Sequence, residues 1–222
     1  MRQELLVAPC CLGGKAAESL NLWGDALEST LRSSQLLFFL GGEGGTGKSR
    51  VIDAVQALCE SWGRLDCIVK TAFTGKEATI VSGRTLASFL LQIRKHRTSD
   101  AINSLEVIII DEVSMMKKYQ LAQLDKYSRV AKRVTGVAFE GVHVILVGDF
   151  LQLPPVGGTP LYADPNAHRK HNKISINEVA GYHLWKQFTS VIVLKESVRF
   201  HKDPMRSRLQ SSPSWHLDPE VR

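Results

Sequence analysis

Short apolar runs alternate with longer amphipathic stretches along most of this chain. The run Val107–Ile110 is the clearest strand because all four residues are β-branched. The predicted strands are Leu36–Leu40, Asp66–Thr71, Val107–Ile110, Gly141–Val147 and Ser190–Leu194. The predicted helices are Leu22–Leu31, Arg50–Trp62, Thr85–Ile93 and Lys117–Val134, with a further helix after a turn at Gly75. Alternating strands and helices predict an α/β fold, a mainly parallel sheet between two helical layers.

The loop between the first strand and its helix has the pattern G-x-x-x-x-G-K-[ST] of a phosphate-binding loop. Its glycines permit positive φ, so consecutive N–H groups can wrap a phosphate. Lys48 is predicted to reach the β- and γ-phosphates of ATP, and Ser49 to ligate Mg²⁺. The predicted nucleotide-binding residues are Gly42, Gly44, Gly45, Thr46, Gly47, Lys48 and Ser49. The alternative is an ordinary glycine turn before a helix.

The third predicted strand ends in an acidic pair, Asp111-Glu112. An acidic pair after such a strand is typical of a Walker B element, in which Asp111 holds Mg²⁺ and Glu112 activates the attacking water. The fourth strand ends in Gly148–Pro155, and Gln152 is predicted to lie near the γ-phosphate, where it can contact both water and phosphate. The alternative for the acidic pair is two solvated carboxylates that cap a helix.

Composition supports an intracellular, globular protein. The chain has 222 residues, of which 44% are hydrophobic and 23% charged, and its net charge of +6 leans towards polyanionic partners. The cysteines show no metal-ligand spacing and are predicted to be reduced thiols: Cys10, Cys11, Cys59 and Cys67. No segment has the pattern of a secretory signal or a membrane span. Asn172-Lys173 is followed by Ile174-Ser175, so the base-reading motif of a GTPase is missing, and no lid pattern favours a small-molecule kinase.

The ordered motifs resemble those of the Pif-type (petite integration frequency) DNA helicases and their Helitron-transposon relatives. The resemblance rests on Gly42–Ser49, Thr71–Gly75, Asp111–Met115, the string GDFLQLPPV from Gly148, Leu184-Trp185 with Phe188, and Leu194–Phe200. It implies a RecA-like lobe of a superfamily-one motor that uses Mg-ATP to move 5′-to-3′ on single-stranded DNA.

The same resemblance implies roles that the residues alone do not reveal. It makes Arg199 the arginine that contacts the γ-phosphate. The implied DNA-contacting residues are Phe73, Thr74, Gly75, Ser88 and Phe89. Phe89 is as readily explained as a core residue, and Phe73 is evenly balanced between the two roles.

Three segments are expected: a helical lead-in over 1–34, the ATP-binding lobe over 35–210 and a flexible tail over 211–222. The chain ends shortly after the last matched motif, so we expect the second RecA-like lobe to be absent or supplied by another chain. Single-stranded DNA or DNA junctions are the expected partners, and the nucleus is favoured over the mitochondrion or cytoplasm. The alternative function is a non-catalytic remnant that binds nucleotide or single-stranded DNA without helicase activity.

Overall fold

A six-stranded parallel sheet forms the centre of the chain. The computed structural model describes residues 35–95, 104–132, 136–165 and 175–195. Within them, the strands run in the order β3-β2-β4-β5-β1-β6, and every pair is parallel. The strands are β1 (Leu37–Gly42), β2 (Ile68–Ala72), β3 (Arg84–Thr85), β4 (Val107–Ile110), β5 (His143–Gly148) and β6 (Ser190–Leu194). All the carboxyl ends therefore meet at one edge of the sheet.

The strands are connected by helices and short 3₁₀ turns. The helices are α1 (Lys48–Ser61), α2 (Gly75–Ile80), α3 (Leu86–Lys95), α4 (Lys118–Lys132) and α5 (Ile176–Trp185), and the 3₁₀ turns are Leu65–Cys67, Val113–Met115 and Ala138–Gly141. The predicted helix Leu22–Leu31 lies outside the described residues. Among the described helices, none is long and apolar enough to span a membrane.

The sheet separates two apolar cores, as the period-2 geometry of strands requires. On β1, Leu37 and Phe39 face the core under α3, α4 and α5, whereas Phe38 and Leu40 face the core under α1 and α2. The four residues of β4 are at most 1% exposed, so this strand is covered on both faces. The predicted arrangement of a parallel sheet between two helical layers is confirmed.

Two elements differ from the prediction because tertiary contacts, rather than local pattern, determine them. Strand β3 has two residues and pairs only with the end of β2, so it carries too little apolar pattern to be predicted. Helix α5 contains Gly181, which argues against a helix in isolation. A Cβ at Gly181 would lie 1.9 Å from the carbonyl oxygen of Lys118, so glycine is the residue that lets α5 approach α4.

Cys59 and Cys67 are free thiols within the α1–α2 core, in agreement with their prediction as reduced cysteines. Burial raises the pKa of the Cys59 thiol to about 12. A thiol with so high a pKa forms little thiolate at neutral pH and is chemically inert. Cys10 and Cys11 lie outside the described residues.

Candidate nucleotide-binding site

Two glycines give the loop between β1 and α1 its shape. Gly42 ends β1, and a Cβ there would lie 2.6 Å from the Thr46 hydroxyl oxygen and 2.8 Å from the Leu194 carbonyl oxygen. Gly47 precedes α1 with φ of 95°, a conformation that costs an L-residue about 1–2 kcal/mol. Gly47 has no side chain, and α1 begins without a side-chain cap. The first N–H groups of α1 therefore point towards a position where an anion can bind.

Lys48 folds back over the loop that precedes it. Its Nζ donates to the carbonyl oxygens of Gly42, at 2.7 Å, and Glu43, at 2.9 Å. Thr46 is 7% exposed and donates its hydroxyl to the same Glu43 carbonyl at 2.9 Å. Thr46 thus stabilises the loop from inside, whereas Lys48 can exchange a carbonyl contact for a phosphate oxygen at low cost.

A cavity of about 500 Å³ opens at the loop. Its lining brings together most of the predicted nucleotide and catalytic residues: Gly44, Gly45, Gly47, Lys48, Ser49, Asp111, Glu112 and Gln152. The volume lies in the range of small-molecule and cofactor sites, about 300–1,000 Å³. Gly42 and Thr46 are not part of the lining. They pack against each other within the loop, since a Cβ at Gly42 would lie 2.6 Å from the Thr46 hydroxyl oxygen.

The acidic pair after β4 lines the same cavity as the loop. The Glu112 backbone N–H donates to Asp111 Oδ1 at 2.9 Å, and Glu112 has the left-handed conformation φ 56°, ψ 44°. This conformation is uncommon outside glycine and often accompanies a functional site. Gly148 permits it, since a Cβ at Gly148 would lie 2.9 Å from the backbone nitrogen of Val113.

The electrostatics of the acidic pair fit a site for a divalent cation. Burial raises the pKa of Asp111, and burial together with the neighbouring Asp111 charge raises the pKa of Glu112. Lys48 lowers both pKa values but does not offset the burial. Ser49 supplies a hydroxyl oxygen and Asp111 a carboxylate oxygen to the same cavity, and Mg²⁺ is usually held by one or two protein oxygens together with phosphates and water.

Gln152 reaches the cavity from an ordered turn after β5. The backbone N–H groups of Leu151 and Gln152 donate to Asp149 Oδ1 and to the Asp149 carbonyl, both at 3.0 Å. The ring of Phe150 anchors the turn, with its centroid 4.9 Å from that of Phe39 and 5.2 Å from that of Trp185. The turn therefore half-buries Phe150 and leaves the exposed Gln152 in the lining of the cavity.

Arg199, the remaining residue with a predicted catalytic role, lies outside the described residues. Strand β6 ends five positions earlier at Leu194, which pairs with Gly42 at the start of the phosphate loop. The role of Arg199 therefore stays a prediction.

The predicted DNA-contacting residues have different environments. Thr74 is half-buried and caps α2, and Gly75 is its exposed first residue. Ser88 is exposed on α3, and its N–H donates to Thr85 Oγ1 at 3.2 Å. Phe73 is half-buried against the core under α3, α4 and α5.

Phe89 differs from this group because it is 3% exposed within the core. Of the two roles that the sequence allows for Phe89, the structure shows the core residue. A ring buried in this way has no free face on which a base can stack, so Phe89 cannot serve as a DNA-stacking residue in this fold.

The cavity also includes side chains without a predicted role. Glu77, Ile80 and Arg50 line it, and Ile80 is 63% exposed there. Glu77 has a sequence signal, because Thr74-x-x-Glu77 before an apolar residue is a capping-box pattern. The positions of Ile80 and Arg50 depend on where α1 and α2 pack and have no comparable local signal.

Comparison with known proteins gives a consistent family. The sequence model of the PIF1-like helicase family matches residues 16–215. The ATP-dependent DNA helicase PIF5 of Trypanosoma brucei brucei is 37% identical over 146 residues, which is 59% of this chain and 15% of that protein. The crystal structure of Pif1 helicase from Candida albicans aligns with a TM-score of 0.64 and 25% identity, over 89% of this chain and 43% of that one.

A further solved structure supports the fold alone. Pif1 helicase from Bacteroides, in complex with ADP-AlF3 and single-stranded DNA, aligns with a TM-score of 0.59 and 20% identity over 90% of this chain. These likenesses confirm the predicted RecA-like fold. This chain covers 45% of that Bacteroides chain, so the matched region there is part of one longer polypeptide. The comparisons therefore do not support a second lobe supplied by another chain.

Proposed function

This chain belongs to the PIF1-like helicase family, and we propose that residues 35–210 form the nucleotide-binding motor lobe of an ATP-dependent DNA helicase. The observation that carries the proposal is the convergence of Lys48, Asp111, Glu112 and Gln152 on one cavity beside the phosphate loop. Movement 5′-to-3′ on single-stranded DNA is part of the proposal. The chain spans less than half the length of Trypanosoma PIF5 and of Candida albicans Pif1. The activity of the whole protein is therefore also part of the proposal.

The residues of the cavity have complementary roles in this proposal. Lys48 exchanges its contacts with the Gly42 and Glu43 carbonyls for β- and γ-phosphate oxygens. Ser49 and Asp111 hold Mg²⁺, which when bound neutralises charge on the phosphates.

The chemical step requires a base and a group that orients water. Glu112 accepts the proton of the attacking water, and its raised pKa makes it a stronger base than an ordinary glutamate. Gln152, which lines the same cavity, orients that water, and Arg199 contacts the γ-phosphate. Each of these residues comes from a different part of the chain, so the site requires the complete fold.

Single-stranded DNA is the proposed partner at the neighbouring ends of β2 and β3. Thr74, Gly75 and Ser88 supply hydroxyl and backbone groups that suit phosphate contacts, and the half-buried Phe73 ring offers a stacking surface. The Bacteroides relative is described as bound to single-stranded DNA, which supports the assignment without locating the contacts here.

The test is ATP turnover by the purified chain, measured with and without single-stranded DNA. We expect Mg-ATP to bind and DNA to stimulate turnover. Glu112→Gln should leave nucleotide affinity nearly unchanged and remove most of the turnover, because it keeps the shape of the side chain but not the base. Turnover that survives this change intact would overturn the role of Glu112. Binding of ATP and DNA without turnover would favour the alternative, a non-catalytic binding module.

A further inference from the structure

One carboxylate, that of Glu77, contacts the proposed DNA surface and also lines the nucleotide cavity. Its Oε2 accepts the Thr74 hydroxyl at 2.8 Å and the Thr74 backbone N–H at 3.2 Å. The same side chain lines the cavity together with Asp111 and Glu112. Thr74 follows β2 and Asp111 follows β4, which are adjacent strands, so Glu77 lies between the two regions.

The charge of Glu77 acts on the nucleotide side of this arrangement. Glu77 lines the same cavity as Asp111 and Glu112, so its negative charge adds to the electrostatic potential at both carboxylates. A change in the position of the Glu77 carboxylate therefore changes the potential at the proposed Mg²⁺ ligand and at the proposed base.

The Thr74 hydroxyl can donate only one hydrogen at a time. In the structure that hydrogen goes to Glu77. A DNA phosphate at Thr74 would compete for it, and the negative phosphate would also repel the carboxylate. Glu77 would then keep only the weaker contact with the Thr74 backbone N–H. Its carboxylate would turn towards the cavity, where the Mg²⁺ ion of a bound nucleotide would attract it.

We infer that Glu77 is a positioning residue that couples DNA binding at Thr74 to Mg-nucleotide binding in the cavity. The inference rests on the proposed function, because it requires that both ligands bind. It predicts positive cooperativity: DNA strengthens nucleotide binding, and by linkage nucleotide strengthens DNA binding by the same factor.

A purely structural role for Glu77 makes a different prediction. Glu77 also completes a capping box at the start of α2, in which the Thr74 side chain accepts the Glu77 N–H at 3.3 Å. Glutamine can serve in a capping box, so Glu77→Gln keeps the cap while removing the charge. If capping were the only role, this substitution would leave the coupling between the two ligands unchanged.

The experiment measures the affinity of a fluorescent, non-hydrolysable ATP analogue with Mg²⁺, in the absence and in the presence of saturating oligo-dT. In the wild-type chain we expect saturating DNA to increase the affinity for the nucleotide by a factor of about five or more. A factor of about five is the lower end of common coupling factors. In Glu77→Gln and in Thr74→Val the ratio should fall close to one. Thr74→Ser, which keeps the hydroxyl, and Glu60→Gln, which neutralises an exposed carboxylate on α1, should retain the wild-type ratio.

The outcomes separate this inference from the proposed function. If the wild-type chain binds neither ligand, the proposed function fails and takes the inference with it. If both ligands bind but Glu77→Gln keeps the full coupling ratio, or the wild-type chain shows no coupling, the inference alone is overturned. A melting temperature of Glu77→Gln close to that of the wild type shows that the lost coupling does not reflect unfolding.

Discussion

Two strand–turn–helix units in the described part of the chain, β1–α1 and β2–α2, differ in how the first turn of the helix is capped. After β1, the N-cap residue of helix α1 is Gly47, which provides no side-chain cap. After β2, the N-cap residue of helix α2 is Thr74, which forms a complete capping box with Glu77. The first turn leaves backbone N–H groups for a ligand, whereas the second satisfies them with side chains of the chain itself.

The difference follows from how each helix is stabilised. Helix α1 has 14 residues and buries five of them: Val51, Ile52, Val55, Leu58 and Cys59. Helix α2 has six residues and buries only Ala78. A helix of six residues is marginal without help, so α2 depends on its cap, while α1 is held by the core and tolerates an open end. An anion site at a helix start thus requires packing elsewhere on that helix.

The largest expected effect concerns the lysine of the open turn. Lys48→Ala should weaken Mg-ATP binding about 100-fold, since a hydrogen bond to a charged group contributes about 1.5–3 kcal/mol. Calorimetric titration measures the change. The matched control is Lys76→Ala, which removes an exposed lysine at the second residue of α2. Equal losses in the two variants would mean that net charge, not the loop, determines nucleotide affinity.

The two turns also differ in what their glycines must do. Gly47 has φ of 95°, and Gly47→Ala should lower the free energy of unfolding by about 1–2 kcal/mol because of that conformation. A Cβ at Gly75 meets no atom within 4 Å, and Gly75 is not among the positive-φ residues. Gly75→Ala should therefore be neutral or stabilising by up to about 1 kcal/mol. Urea denaturation of both variants checks this, and the reverse order would contradict the comparison.

Removal of the cap should cost stability at the closed turn. Thr74→Ala is expected to lower the free energy of unfolding by about 1 kcal/mol, the usual cost of losing a threonine N-cap. Thr79→Ala serves as its control because Thr79 is exposed within the same helix and its hydroxyl donates to the Gly75 carbonyl oxygen rather than capping the helix. Its change should stay within about 0.5 kcal/mol. A similar loss in both variants would show that the cap has no special role.

The smallest expected effect is a pH dependence of stability at the cavity. The raised pKa of Glu112 means that its charged form is disfavoured in the folded state. The folded chain then binds protons more tightly than the unfolded chain, so this group lowers stability as pH rises above the usual value of 4.5. Without nucleotide, Glu112→Gln should raise the melting temperature by about 1–2 °C at neutral pH. The gain should disappear below pH 4, and a gain that is constant with pH would contradict the assignment.

The sequence predicted most of the sheet and the cavity because their signals are local. The glycine pattern from Gly42 to Ser49 encodes its own turn, and Asp111 directly follows a strand that is apolar throughout. Parallel strands then bring these residues to one edge.

Other features could not be predicted because they depend on distant contacts. Helix α5 needs glycine at position 181 because a Cβ there would lie 1.9 Å from the Lys118 carbonyl oxygen, a contact with a residue far away in the sequence. Phe89 follows a helical apolar pattern that fits a core or a surface equally well, and its burial depends on the packing of α3. Glu77 has a local capping signal, but its place in the cavity depends on how α2 packs against β2 and β3.

The most direct test of the open and closed turns is a titration of the ¹⁵N-labelled chain with Mg-ATP, followed by amide NMR. We expect the largest shifts at the amides of Gly45, Gly47, Lys48 and Ser49, because their N–H groups gain phosphate partners. The capped amides at Thr74 and Glu77 should shift much less. Saturable ATP binding that leaves the loop amides unmoved, or moves the two turns equally, would contradict the claim that the β1–α1 turn is the nucleotide site.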